Sequence, residues 1–487
     1  KNPASSTQSE SSGDPSCSSN TDKLRNDFAR NPTPDFTTAQ RFIGVQAYYY
    51  VYDTTLSGCN STLTDDDCYR RVFVNDTSGP GNFDLNGDGV TDAADKDERQ
   101  NFAVWYSFYR TRNLMTATSA TRALVGVPPT ARVGWQSLSS CNGTTGSGTT
   151  NGRLFDNSCT GWTGSSVDKR IKVFDGSHRA NLLNWLATLP ASGGTPLREA
   201  TNRVGEYYRT NGVNSPYALN PTVSLGTEYS CRPNFHILMT DGIWNDSSGS
   251  FCSSASCGNK DNNSVTLPDG TAYSARAPYR DGNSSSVADV AFHYWATDLR
   301  GNLANNLMPY RIDRDGTADA QYWNAKNDPA TWQHMVMFTV GLGLGRTFTV
   351  SGIPWGGSTY AGSGYANLVA GTENWPSTGA DVSPGNVYDL WHAAINSRGQ
   401  SFSADTPRDL SDALATALNR ILERESAAAA LATNSTRLAT DTLLFQARFF
   451  SGTWTGALTA YAINTDGSVG NVQWEATASG KIPAHGS

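Results

Sequence analysis

Residues Phe235–Asp246 read FHILMTDGIWND. Phe235, Ile237, Leu238 and Met239 lie in an uncharged run that stops at Thr240-Asp241-Gly242. A short continuous apolar run closed by a turn signal is the pattern of a strand buried on both faces. In an open α/β sheet, polar groups just past the carboxyl end of such a strand stand where ligands bind. Asp241 holds that place.

Outward from this strand the same alphabet repeats. His334–Leu342 (HMVMFTVGL) is a second buried-strand run. Its GLGLG tail is not a dinucleotide fingerprint, because Arg346 stands where a third glycine is needed and no helix pattern follows. Helical spacing of apolar residues predicts helices over Asp97–Leu124, Ser177–Leu189, Ser286–Leu299, Tyr388–Ser397 and Pro407–Arg424. The aromatic stripe of the first of these (Phe102, Trp105, Tyr106, Tyr109) reads as core-facing. Ala131–Leu138 reads as a short strand. Before the opening strand, Gly193-Gly194 makes a flexible turn, and Pro196 suits a first helical position. Thr195 stands at the helix entrance, either as an N-cap or as a hydroxyl that meets a metal. Alternating strands and helices through residues 100–424 predict a doubly wound α/β domain.

Composition sets limits on the rest. At 487 residues the chain exceeds one compact core, so several domains or one heavily inserted domain is expected. Charged residues are only 17%, with 46 glycines and a net charge of −7, a loop-rich secreted-type balance that gives no general attraction to nucleic acid or anionic membrane. No apolar stretch is long enough for a membrane-spanning helix. The chain starts at Lys1 without a signal-peptide pattern and reads as a processed or excised piece. Its eight cysteines sit in polar loops with no CxxC and no zinc spacing, which predicts disulfides and an oxidising compartment. Close spacing suggests Cys59–Cys68, Cys141–Cys159 and Cys252–Cys257, which leaves Cys17–Cys231.

The sharpest local motif is DLNGDGVTDAAD. It places Asp84, Asn86, Asp88, Gly89, Val90, Asp92 and Asp95 at relative positions 1, 3, 5, 6, 7, 9 and 12. Oxygen ligands alternate along one side and glycine at the sixth position allows the sharp turn, the arrangement of an EF-hand-type Ca²⁺ loop. Aspartate at the twelfth position reaches less far than the usual glutamate. Asp313–Asp319 (DRDGTAD) forms a second acidic turn. Beyond residue 426 the pattern changes to period-two alternation, LLFQARFFSGTWTGALTAYAINTDGSVGNVQWEA, which predicts antiparallel β structure that continues past Ser487 in the natural chain.

GGTPL (Gly193–Leu197) followed by ILMTDGIWN (Ile237–Asn245) resembles the second and third parts of a von Willebrand factor A-type metal-ion-dependent adhesion site. Asp97–Arg112, Ala288–Arg300, Tyr388–Gly399 and Leu443–Leu458 resemble, in order, segments of the PilY/PilC-type adhesins found at bacterial type IV pilus tips. The resemblance implies a von Willebrand factor A-like domain over 38–425, with disulfide-stapled insertions and the Ca²⁺ loop at 84–95. It implies an irregular segment over 1–37, a linker over 426–440 and the start of a β-propeller over 441–487. It also implies Mg²⁺ held by Thr195 and Asp241. The family's first motif, DxSxS, does not occur; the nearest imitation is Asp53-Thr54-Thr55-Leu56-Ser57.

Function is then expected to be non-catalytic: a secreted or cell-surface pilus-tip adhesin and pilus biogenesis factor. The implied partners are minor pilins and a host-cell or abiotic surface ligand. The alternatives are a calcium-dependent assembly factor without adhesion of its own, or an extracellular propeller enzyme. The six histidines are scattered, and HExxH, GxSxG and P-loop patterns are missing, so hydrolase or NTPase chemistry has no anchor.

Overall fold

The structure, a computed structural model, describes residues 47–61, 65–138, 169–187, 194–212, 215–219, 226–242, 244–245, 255–344, 353–379, 383–429, 431–433, 443–450, 455–463 and 469–475. The chain divides into two compact units, Lys1–Thr118 and Ser119–Ser487. The division therefore falls inside the stretch expected to form one domain over 38–425. The expected irregular segment 1–37 lies outside the described residues.

In the first unit, β1 (Tyr48–Tyr52) and β2 (Tyr69–Phe73) pair antiparallel, and the Cys59–Cys68 disulfide closes the loop between them. The helix expected over 97–124 is two helices, α1 (Arg99–Phe108) and α2 (Arg112–Val125). α1 buries none of its residues, which corrects the core-facing reading of its aromatic stripe. Its rings pack on one another instead: Phe102 lies 5.4 Å from Trp105 and 6.2 Å from Tyr106. Helical periodicity reports which residues share a face, and here that face is covered by its own members.

The second unit runs through β3 (Arg132–Val133), β4 (Lys172–Val173), α3 (Gly176–Ala187), α4 (Leu197–Tyr208), β5 (Asn234–Thr240), β6 (Val265–Thr266), β7 (Ala272–Tyr273), α5 (Val287–Ala296), α6 (Ala318–Tyr322), β8 (Met335–Leu342), α7 (Gly362–Ala370), α8 (Gly385–Asn396), β9 (Ser401–Ala404) and α9 (Pro407–Ala429). Ala131–Leu138 contributes only the two residues of β3. β5, β8 and β9 form a three-stranded parallel sheet with β8 in the middle. Every residue of β8 is buried, whereas β5 alternates between buried and half-buried positions. That alternation corrects the expectation for Phe235–Asp246. Among the described residues β5 pairs with β8 alone, so it has the environment of a sheet edge.

Helices cover both faces of this sheet. On one face Val336, Phe338, Phe235, Ile237 and Phe402 meet Ala417 and Ile421 of α9. On the other, Leu238 and Met337 join Ala291 and Trp295 of α5 and Trp391 of α8 in the main core. The chain is thus a mixed α/β protein. After α9, which runs on to Ala429, β10 (Leu431–Thr433), β11 (Leu443–Phe450), β12 (Thr455–Ile463) and β13 (Val469–Glu475) form a four-stranded antiparallel sheet in chain order. The expected linker over 426–440 is therefore helix and strand where it is described. The helix-forming run of alanines extends α9, and β10 pairs with β11.

Cys231 is exposed and free among the described residues, and Cys17, its expected partner, lies outside them. Cys257 is disulfide-bonded; Cys17, Cys141, Cys159 and Cys252 lie outside the described residues.

Candidate functional site

Asp241 is the first residue past β5, exposed at the carboxyl end of the parallel sheet. The chain turns there because Gly242 adopts φ +104°, and a Cβ at that position would meet the Leu344 side chain at 2.5 Å. Glycine is the residue that fits both conditions. Thr240 is buried and its hydroxyl accepts from the Gly242 amide at 3.1 Å.

Thr195 arrives from the amino end of α4. It does not cap that helix through its side chain: the N-cap position is Pro196, and the Leu197 amide donates to Thr195 O at 2.9 Å. Instead the Thr195 amide donates to Asn245 Oδ1 at 2.6 Å, and the Asn245 amide donates back to Thr195 O at 3.2 Å. These two bonds join the GGTPL segment to the loop that begins at Asp241. A Cβ on Gly194 would stand 3.0 Å from Asn245 Oδ1, so the approach is close.

Trp244 anchors the same loop from below. It is buried, its ring lies under the Arg198 guanidinium at 4.0 Å, and its indole Nε1 donates to Asp389 Oδ2 at 3.0 Å. Asp389, on α8, also accepts from the amides of Val287 at 2.8 Å and Ala288 at 2.9 Å, the first residues of α5. A carboxylate at a helix amino terminus satisfies amides that have no partner within the helix. Burial pushes the Asp389 carboxyl up to about 6, against those two amides, which lower it. Asp389 and Asn386, whose side chain donates to Trp244 O at 3.3 Å, escaped sequence reasoning. Both stand on α8, whose polar residues also include His392 and Asn396, and nothing local marks their partner more than 140 positions away.

In the first unit the Asp84–Asp95 loop closes on its own backbone. Asp84 accepts from Gly87 N at 2.7 Å and Gly89 N at 3.0 Å. Asn86 accepts from Asp88 N at 3.0 Å, and Asp88 from Val90 N at 2.8 Å. Gly87 and Gly89 have φ of +79° and +85°. Asp92 caps the short 3₁₀ turn Ala93–Lys96, accepting from Ala94 N at 2.7 Å. Asp95 is fully buried and accepts from Asp92 N at 2.6 Å and Leu85 N at 2.9 Å; these amides hold its carboxyl below the usual range. Each of these side-chain oxygens is thus engaged with an amide of the loop itself.

Two groups of three ligand-type side chains gather within 4.8 Å among the described residues: Cys59/Asp65/Cys68, whose cysteines are already joined, and Asp261/Asp281/His392. The Asp84–Asp95 carboxylates, each turned to loop amides, are not so gathered. Asp53, at the end of β1, accepts from Thr55 N at 3.0 Å, a local turn. Asp313 pairs with Lys326 at 3.0 Å.

The fold and site define an α/β protein whose polar loops converge past the carboxyl end of a parallel strand, followed by an antiparallel sheet. Three curated relatives match nearly the whole chain, each a type IV pilus biogenesis factor PilY1 of Pseudomonas aeruginosa. That of strain PAK is 43% identical over 430 residues, 87% of this chain and 33% of the relative. That of strain PAO1 is 44% identical over 429 residues, 86% of this chain and 33% of the relative. That of strain UCBPP-PA14 is 39% identical over 444 residues, 89% and 34% respectively. The chain belongs to the PilY/PilC family. It spans about a third of the length of these relatives. No protein-family model and no solved structure matches it.

Proposed function

We propose that this chain is the von Willebrand factor A-like, non-catalytic part of a type IV pilus biogenesis factor and tip adhesin at the bacterial surface. It engages minor pilins and a host-cell or abiotic surface ligand through the loops past β5. The observation that carries the reading is the reciprocal Thr195–Asn245 pairing, which joins the GGTPL segment to the Asp241 loop. Homology to PilY1 over most of the chain supports the pilus assignment. Thr195 and Asp241 would supply a hydroxyl and a carboxylate to Mg²⁺, a hard cation that takes oxygen ligands and leaves a position for a partner's carboxylate. Asp84, Asn86, Asp88, Val90 O, Asp92 and Asp95 would hold Ca²⁺, which stiffens the first unit. Among the described residues no helix is long and apolar enough to cross a membrane. The antiparallel sheet β10–β13 is read as the start of a propeller.

Pull-downs with purified minor pilins, piliation counts and surface-attachment assays test this in cells carrying Asp241→Ala or Asp84→Ala. Asp241→Ala should reduce attachment while pili still form. If it alters neither, and Asp84→Ala abolishes piliation, the assembly-factor reading replaces adhesion. If no minor pilin is recovered and the protein never reaches the surface, the pilus reading fails.

A further inference from the structure

Four polar residues run down one face of α8. Asn386, Asp389, His392 and Asn396 are spaced three, three and four positions apart, the repeat of a helical stripe. None is more than 3% exposed. A buried polar stripe costs free energy unless each member finds a partner. Asn386 and Asp389 find theirs at Trp244. His392 is the one member able to carry positive charge, and both of its ring nitrogens face acceptors. Nε2 stands 2.5 Å from Tyr279 O and 3.5 Å from Asp261 Oδ2, and Nδ1 stands 3.4 Å from Asp281 Oδ2. A carbonyl oxygen only accepts, so Nε2 carries a proton. Asp281 Oδ2 accepts from Asn283 Nδ2 at 2.5 Å and Oδ1 from the Asn283 amide at 2.8 Å, so that carboxylate is an acceptor too. A bare Nδ1 would set its lone pair against it. Both nitrogens therefore donate, which only the imidazolium form can do. With both N–H groups spent on these oxygens, the ring keeps no lone pair for a metal ion.

The groups around the ring suit a cation. Asp261 and Asp281 flank the β6–β7 hairpin and are 0% and 8% exposed. Asp261 also accepts from the Asp281 amide at 3.1 Å and from Asn396 Nδ2 at 2.8 Å, while its backbone carbonyl takes the Tyr273 hydroxyl. α5 contributes Asp289, turned to the amides of Lys260 at 2.6 Å and Ser286 at 3.0 Å. α8 itself contributes Asp389, held on the Val287 and Ala288 amides. Arg398 lies over the Tyr279 ring, 4.1 Å from its centroid, and among the described residues pairs with none of these acids. His392 is thus the cation that Asp261 and Asp281 share. Burial works against its charge, but Asp281 and Asp261 overcome burial and push the imidazole up to about 9. Burial raises the Asp281 carboxyl too, and the bond to His392 outweighs it and holds the group below the usual carboxylate range. Trp375 stacks on the imidazole, centroids 4.4 Å apart and planes 16° from parallel, and covers the ring.

We propose that the His392 imidazolium is a proton-dependent latch that fastens α8 to the chain on either side of the β6–β7 hairpin. One charged ring holds three segments: α8, the turn at Asp261 and the turn at Tyr279–Asp281. Because its folded value lies above the ordinary 6.5, the latch is fully closed below that pH, weakens as pH rises and opens through about pH 9. The test uses the full chain with ¹⁵N-labelled histidine. In a long-range proton–nitrogen spectrum at pH 7, the resonances removed by His392→Gln should show both ring nitrogens protonated and titrate near pH 9. Asp281→Asn should lower that midpoint by about one pH unit or more, since an opposing charge is lost. A bare Nδ1 at pH 7, or an unchanged midpoint in Asp281→Asn, overturns the proposal. If the variants do not fold, deuterium exchange of the wild type decides. Peptides covering residues 259–283 and 385–399 should lose protection between about pH 8 and 10 beyond the intrinsic base-catalysed rise, while β8 keeps its own. Loss in all of them alike, or in none, refutes the latch.

Discussion

Replacing Trp244 by Phe keeps a ring under Arg198 but removes the indole N–H that reaches Asp389 across 145 positions of sequence. Two losses follow. The smaller ring gives up roughly 1–2 kcal/mol of apolar burial at about 0.8 kcal/mol per buried carbon. The hydrogen bond to an ionised acceptor contributes about 1.5–3 kcal/mol. Asp389 retains the Val287 and Ala288 amides, so no charge is left wholly unpaired and the sum stays at about 2.5–5 kcal/mol. A double-mutant cycle with Asp389→Asn separates the two terms. A neutral acceptor is worth about 0.5–1.5 kcal/mol, so the coupling should be about 1–2 kcal/mol. The measurement is urea unfolding followed by far-UV circular dichroism at pH 8, where a carboxyl pushed up to about 6 is ionised. A coupling below about 0.5 kcal/mol would falsify the claim that Asp389 anchors the Asp241 loop through this bond.

Stability should also fall with acid. Burial pushes His236 down to about 4, so between its ordinary 6.5 and that value the unfolded chain takes up a proton that the folded chain refuses. The loss grows as pH falls through this window, reaches about 3 kcal/mol and then levels off. His236→Gln should flatten that part of a melting-temperature profile, and an unchanged profile would refute the assignment. Gly399→Ala should cost more than about 3 kcal/mol, because its Cβ would stand 1.8 Å from Met337 O in the buried central strand; chemical denaturation checks this. Asp84→Ala with Asp88→Ala should abolish calorimetric Ca²⁺ binding in the first unit while leaving the far-UV spectrum of the α/β core intact. Undiminished binding would move the ion elsewhere.

Local features of this protein were readable from residue types alone. The loop at Asp84–Asp95 is built from neighbours, so spacing specifies its turns. β8 is apolar but for Thr339 because both its faces are covered, and α9 carries its leucines at helical spacing because one face meets the sheet. Family resemblance rested on such segments too. Burial of a given face was less readable. Phe235–Met239 is apolar but for His236 yet lies at the edge of the described sheet, and the α1 aromatics pack on each other. Strand order and helix docking decide those outcomes, and neither is written in a single segment. Polar pairs on apolar helices were the least readable. Asp389 meets Trp244, and His392 meets Asp261 and Asp281, only because the parallel crossovers bring α8 against α5 and the β6–β7 hairpin. Such partners lie over a hundred positions apart, so the tertiary structure alone decides that they face each other.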